Sequence, residues 1–128
     1  MMLDEIAGYL AENGIGTWAS TLFKGSMPET PDDVVCIYEN AGKPPEFTFA
    51  NGVMAEEPGL QAIARSKSYS AARAKIESIV QLLSGKSNVS IGGRFYYLIA
   101  AAQMPSSLGT DENGRRLVSV NFNVMRQA

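Results

Sequence analysis

Residues equipped for chemistry are few in this chain, and they do not converge in sequence. Histidine is absent from all 128 positions, which removes the commonest general base and the commonest metal ligand together. The single thiol, Cys36, lies inside Val34-Val35-Cys36-Ile37-Tyr38. With no cation beside it in sequence to stabilise a thiolate, it reads as a buried, inert side chain. Three acid pairs, Asp32-Asp33, Glu56-Glu57 and Asp111-Glu112, could suggest acid–base or metal chemistry. Neighbouring side chains on an extended chain point to opposite sides, so neither member reinforces the other. All three pairs lie near Pro or Gly, where solvated loop acids are the norm. Gly92-Gly93-Arg94 resembles the start of a phosphate loop, but no Lys-Ser or Lys-Thr follows. A turn or bulge ahead of Phe95 is the simpler reading. No catalytic residue, cofactor site or metal site is therefore expected, and the chain reads as a non-enzyme.

Two features suggest recognition instead. Arg115 and Arg116 follow an Asn113-Gly114 turn and could offer forked donors to acidic groups on a neighbour. Ser119, Asn121 and Asn123 line one side of the final strand; they are either a solvated edge or a surface turned to a partner or hydrated channel. Trp18, Tyr96 and Tyr97 are of the type that anchors cores and interfaces. A different reading also stays open at this level, in which Arg94, Tyr96 and Tyr97 line a pocket for a small anionic ligand.

Composition narrows the class. A formal net charge of -2 gives no concentrated basic surface for phosphate, so no direct nucleic-acid partner is expected. Charged residues make up 19% of the chain, below the usual ~25%, as when subunit contacts hide part of the surface. One cysteine precludes an intrachain disulfide and suits a reducing compartment. The N-terminus lacks the pattern of a signal peptide, and the longest apolar run, Phe95 to Ala102, falls short of a membrane span. The expectation is a soluble chain made in a cytoplasm, with no membrane partner.

Periodicity then places the elements. Leu3, Ile6, Ala7 and Leu10 predict a helix over 2–12, ended by Asn13-Gly14. Tyr69, Ala72, Ile76, Ile79, Val80 and Leu83 predict a second over 69–84, with Ser68 as N-cap and Gly85 as stop. Strands are expected within 16–24, at 34–38 with both faces buried, at 60–65, from Val89, and at 95–102 as a buried central strand. The last is the cleanest, because Val118, Val120, Phe122 and Val124 alternate with polar residues. Loops are expected at 25–33 and 104–116, a turn at 40–45, and at most a short edge strand at 47–50. Strands without regular βαβ alternation imply one α+β domain over 1–128, with a mixed, mainly antiparallel sheet and both helices on one face.

The order of these elements carries a resemblance. Phe23-Lys24-Gly25-Ser26-Met27-Pro28 precedes the Val34–Glu39 strand, which Gly42 closes. Leu60-Gln61-Ala62-Ile63-Ala64-Arg65 leads into the Tyr69 helix, which ends at Leu83-Ser84-Gly85. Pro105-Ser106-Ser107-Leu108-Gly109-Thr110-Asp111 and Asn113-Gly114-Arg115 precede the alternating strand. Over nearly its whole length the chain resembles the tail-terminator group of tailed bacteriophages, often labelled minor capsid or tail-completion proteins. The resemblance implies a virion structural protein of the tail or neck, with a neighbouring neck or head-completion component of similar fold as the alternative. Its implied partners are further copies of itself in a hexameric ring, the tail tube protein, and the head-completion or connector protein. The two loops are long, polar and set between predicted strands, and binding residues collect on such loops, so docking residues are expected there: Met27 and Pro28 in the first, and Asp111, Arg115 and Arg116 in the second.

Overall fold

The computed structural model describes residues 1–48 and 52–127. Nine elements follow in order: α1 (Met2–Glu12), β1 (Leu22–Lys24), β2 (Val34–Thr48), β3 (Gly52–Ser66), α2 (Tyr69–Leu83), β4 (Lys86–Ile91), β5 (Arg94–Ala101), β6 (Ser106–Thr110) and β7 (Arg116–Gln127). The strands form one sheet in the order β1-β2-β3-β7-β5-β4, with β6 paired to β7. Only the β1–β2 pairing is parallel among these strands. This is the expected mixed, mainly antiparallel α+β architecture.

Both helices form where the apolar spacing places them. Met2, Leu3, Ile6, Ala7 and Leu10 turn inward along α1, and Asp4 and Glu5 complement the partial positive charge of its first turn. Along α2 the buried stripe is Ala72, Ile76, Ile79 and Leu83. The Ser68 hydroxyl accepts from the Ala71 amide at 3.3 Å, satisfying one of the free donors at the helix start. Tyr69 falls off the stripe and stands exposed. The inward faces of both helices meet Val35, Ile37, Leu60, Ala62, Tyr96, Ile99, Val118, Val120 and Phe122 in a single apolar core. Helix α2 packs on β3, β7 and β5, whereas α1 touches β1 and β2 and reaches β4. The Gly92-Gly93 pair makes the β4–β5 turn, with φ of +59° and +82°. A Cβ on Gly92 would also lie 2.8 Å from Glu5 Cγ, so only glycine admits α1 this closely.

Several expectations are corrected. The 16–24 strand shrinks to Leu22–Lys24, because residues 17–22 form a tight turn in which the Thr21 and Leu22 amides both donate to the Thr17 carbonyl. Residues 40–45 do not turn the chain. β2 runs through to Thr48 opposite β3, with register irregularities between Asn40 and Phe47 absorbing Gly42, Pro44 and Pro45. Proline is tolerated here because β1 ends opposite Ile37 and, among the described residues, no further strand pairs with the outer edge of β2. The end of the expected 47–50 segment lies outside the described residues. The 104–116 loop contains a strand, β6, held by the outer edge of β7 rather than by any apolar pattern of its own. β5 is second from the edge rather than central, with Tyr96 and Ile99 buried and Leu98 exposed. Val34 to Ile37 are buried on both faces, as expected.

Ile79 is fully buried at the centre of this packing. Replacing it with alanine should cost about 2–5 kcal/mol, read as a lower urea midpoint. Gln81→Ala, on the exposed side of the same helix, should change stability by no more than about 0.5 kcal/mol.

Candidate assembly interface

The two polar loops meet at one end of the sheet, and Arg115 joins them. Its side chain is only 3% exposed. Nε donates to Asp111 Oδ2 at 2.8 Å, Nη2 reaches Glu29 Oε2 at 3.3 Å, and Nη1 donates to the Glu29 carbonyl while lying 3.6 Å from Asp32 Oδ1. A guanidinium taken out of water requires such partners, since an uncompensated buried charge costs several kcal/mol. Asp111 is itself held in place: its Oδ1 accepts from the Asn113 and Arg115 amides at 3.0 and 2.9 Å. Burial pushes the Asp111 carboxyl up, but those amides and the Arg115 guanidinium outweigh it and hold the group below the ordinary carboxylate value. A second buried arginine, Arg65, donates to the Pro31 carbonyl at 2.7 Å and the Asp32 carbonyl at 3.3 Å. Burial first, then the nearby Arg115 cation, pull Arg65 below its usual value. Loop 25–33 is thus pinned from below by two arginines of its own chain.

The expected docking residues therefore divide. Arg115 is not a free donor to a neighbour; it is spent inside the chain, setting the shape of both loops together with Asp111. Arg116, one residue on, is exposed with no ion pair among the described residues. Met27 and Pro28 lie half-buried in the first loop. What the sequence did not disclose is the part played by Glu29, Asp32 and Arg65. Their convergence on residues 111–115 spans as many as 86 positions of chain, and the only local signal was the Asp111-x-Asn113 spacing of an Asx turn.

A second buried network closes the opposite end of β7. Arg126 Nη1 lies 2.9 and 3.2 Å from the two Glu5 carboxylate oxygens, and Nη2 lies 3.0 Å from Glu56 Oε2. The Tyr96 hydroxyl donates to Glu5 Oε1 at 2.6 Å. Burial pulls Arg126 down, but Glu5 and Glu56 outweigh it and raise its affinity for the proton. Arg94 donates to the Gln127 carbonyl at 3.3 Å, and Tyr97 meets Phe95 edge-on at 5.1 Å. Arg94, Tyr96 and Tyr97 are thus engaged in separate contacts and do not converge on an anion. On the helix-free face, Ser119 is buried, Asn121 accepts from Asn40 Nδ2 at 2.8 Å, and Asn123 is exposed. Burial raises the Cys36 thiol above its usual value, more than the Tyr38 hydroxyl and Ser26 backbone bonds lower it.

Among the described residues no set of His, Cys, Asp or Glu side chains is grouped to hold a metal, and no helix is long and apolar enough to cross a membrane. The chain is thus a helix-backed sheet with two loops clasped at one end. The comparison with known families names the kind: the model for bacteriophage tail terminator proteins matches residues 9–127, and the chain belongs to that family. It is a structural protein of tail completion in phage-type virions. Among solved structures it is similar to a chain of the "Virion of native gene transfer agent (GTA) particle", with a TM-score of 0.61 at 11% identity over 97% of this chain and 94% of that one. That likeness establishes a shared fold. No curated protein matches the sequence.

Two predictions follow from the clasp. Arg115→Ala should cost about 2–4 kcal/mol, somewhat under the usual penalty for breaking a buried pair because Glu29 can return to water. It should also speed amide exchange across 25–33 and 111–115, whereas Arg116→Ala should stay within about 0.5 kcal/mol of the parent. Second, because the Asp111 pKa is lower folded than unfolded, its contribution is present above about pH 4 and lost as pH falls through the lower folded value. The stability gap between the parent and Asp111→Asn should therefore close on acidification below about pH 4, and a gap that widened there would contradict this assignment.

Proposed function

We propose that this chain closes the end of a phage-type tail tube. Copies assemble as a ring, six in number, on the last ring of tube protein, halt further polymerisation, and present a surface to the head-completion or connector protein. The whole chain acts as one terminator domain without catalysing a reaction, and it works in the tail or neck after synthesis in the host cytoplasm. The observation that carries the reading is the family match over residues 9–127. The clasp supports it physically: loops 25–33 and 111–116 form a preformed surface at one end of the sheet, and binding residues collect on loops held by rigid scaffolds. The accessible surface of 6800 Å² leaves room for two neighbours; contacts of about 800 Å² on each side would cover roughly a quarter of it.

Within that surface Arg116 and the Met27-Pro28 segment make the outward contacts, and Arg115 with Asp111 holds them in position. The test is a phage lacking the gene, complemented by plasmid-borne variants and imaged by electron microscopy. Loss of the gene should give tubes of uncontrolled length that do not join heads, and the parent chain should restore capped tails bearing a ring. Arg116→Ala should leave a folded chain that caps or joins heads less efficiently, by about tenfold for a lost contact near 1.4 kcal/mol. Normal-length, head-bearing tails without the gene would overturn the proposal.

A further inference from the structure

The strand order ends in two unlike edges, β1 beside β2 on one side and β4 on the other, with β6 continuing the β4 side along β7. Exposed apolar side chains mark both. On the first edge Trp18 is 48% exposed; on the second, Met104 and Leu108 are 75% and 50% exposed. Trp18 forms one wall of a groove of about 220 Å³ against Ala7 and Gly8 of α1, with Asp4 and Lys24 at its rim. Gly8 keeps this groove open for no internal reason. A Cβ there would meet nothing within 4 Å, and glycine inside a helix costs about 1 kcal/mol relative to alanine.

On the other side, all five residues of β6 are exposed, and its outer backbone edge has no partner strand among the described residues. The segment Ser106-Ser107-Leu108-Gly109-Thr110 lacks the lysine or proline that usually guards such an edge. A register shift between Ser107 and Gly109 sets Leu108 out of the ladder.

Charge divides the same way. Glu39, exposed on β2, has no cationic partner among the described residues. Across the sheet, Lys86 on β4 has no acidic partner among the described residues. The other charges without an ion pair among the described residues lie away from this contact or are satisfied within the chain: Asp33 stands at the clasp end of the sheet and Arg94 at the opposite end, Glu12 ends α1, Glu112 and Arg116 are exposed beside the clasp, Arg65 is buried beneath it, and Lys75 donates to the Ile15 carbonyl at 3.0 Å.

The geometry points to a head-to-tail contact between copies of this chain, in which the β6–β4 edge of one docks on the α1–β1–β2 edge of the next. Leu108 or Met104 enters the Gly8–Trp18 groove while Lys86 faces Glu39, which the pairing register places at comparable levels of the sheet. Different patches on opposite edges make a heterologous contact, the type that generates rings rather than two-fold pairs. The assignment rests on the ring reading above and specifies which surfaces build the ring.

The test places a p-benzoylphenylalanine photocrosslinker at Leu108 of the full chain. It is irradiated on purified tails and, separately, as concentrated protein at low salt. The expected product in both is a covalent dimer joining position 108 to a peptide within residues 4–24 of another copy. Linkage of 108 to 108, linkage to any other region, or no dimer in either sample overturns the assignment. A chain missing from tails that still cross-links 108 to 4–24 in solution would remove the tail role and leave the contact standing.

Two further variants guard against misreading. Gly8→Leu fills the groove and removes a helix-interior glycine, so it should abolish the dimer without lowering the unfolding midpoint. Glu39→Lys and, separately, Lys86→Glu should each reduce dimer yield about tenfold, and mixing the two proteins should restore it. Yields that ignore both reversals, or no recovery on mixing, rule out this pairing of edges.

Discussion

A guanidinium removed from water has to be met by carboxylates or carbonyls, and β7 is framed by two such groups. Arg115 precedes its first residue, and Arg126 sits one residue from its last. Between them β7 pairs with β3 along one side and with β5 and β6 along the other. The partners of the two arginines come from far along the chain: Glu29 and Asp32 from the β1–β2 connection, Glu5 from α1, Glu56 from β3. Each arginine thus ties a peripheral segment to the strand that holds the sheet together. Apolar burial supplies the bulk of the driving force, but it does not dictate where the 25–33 connection lies. The requirement to neutralise Arg115 and to satisfy Arg65 does.

The same requirement explains what could be read from the sequence. Elements governed by local periodicity were legible almost to the residue: α1, α2 with its Ser68 cap, and the alternating β7. Elements that exist because of a neighbour were not. β6 has no apolar alternation, and only the open outer edge of β7 makes it a strand. β2 carries Gly42, Pro44 and Pro45, which signal a turn locally, yet on an edge strand they are absorbed as irregularities in the pairing with β3. For the candidate site, the loops were legible as loops and Arg115 as important. Its direction was not, because a side chain's partner 86 positions away leaves no trace in local spacing.

That inward direction alters how the surface should be understood. Had both arginines pointed outward, the loop end would be a flexible, solvated patch whose contacts cost ordering entropy on binding. With Arg115 turned in, the loops are already ordered before any partner arrives, and Arg116 is presented from a fixed base. In the capping role proposed above, a contact with tube or connector would have to be weak enough per copy to form only where a template exists, and preorganisation would keep that weakness from becoming imprecision.

The edges of the sheet show the complementary choice. β4 is protected in the usual manner, by the charge of Lys86, and it carries a positive φ of +52° at Asn88. β6 is left unguarded. In a chain that remained single, an open neutral edge beside an exposed Leu108 and Met104 would be an aggregation hazard. Such an edge is safe only if its counterpart is specific and its growth self-limiting. A heterologous contact with a fixed rotation meets both conditions, because each copy covers the open edge of the next until the ring closes and no edge remains. Under the contact proposed above, the unguarded strand and the unfilled groove beside Gly8 have one physical explanation, in which each surface is costly alone and the two would be stabilised where copies meet.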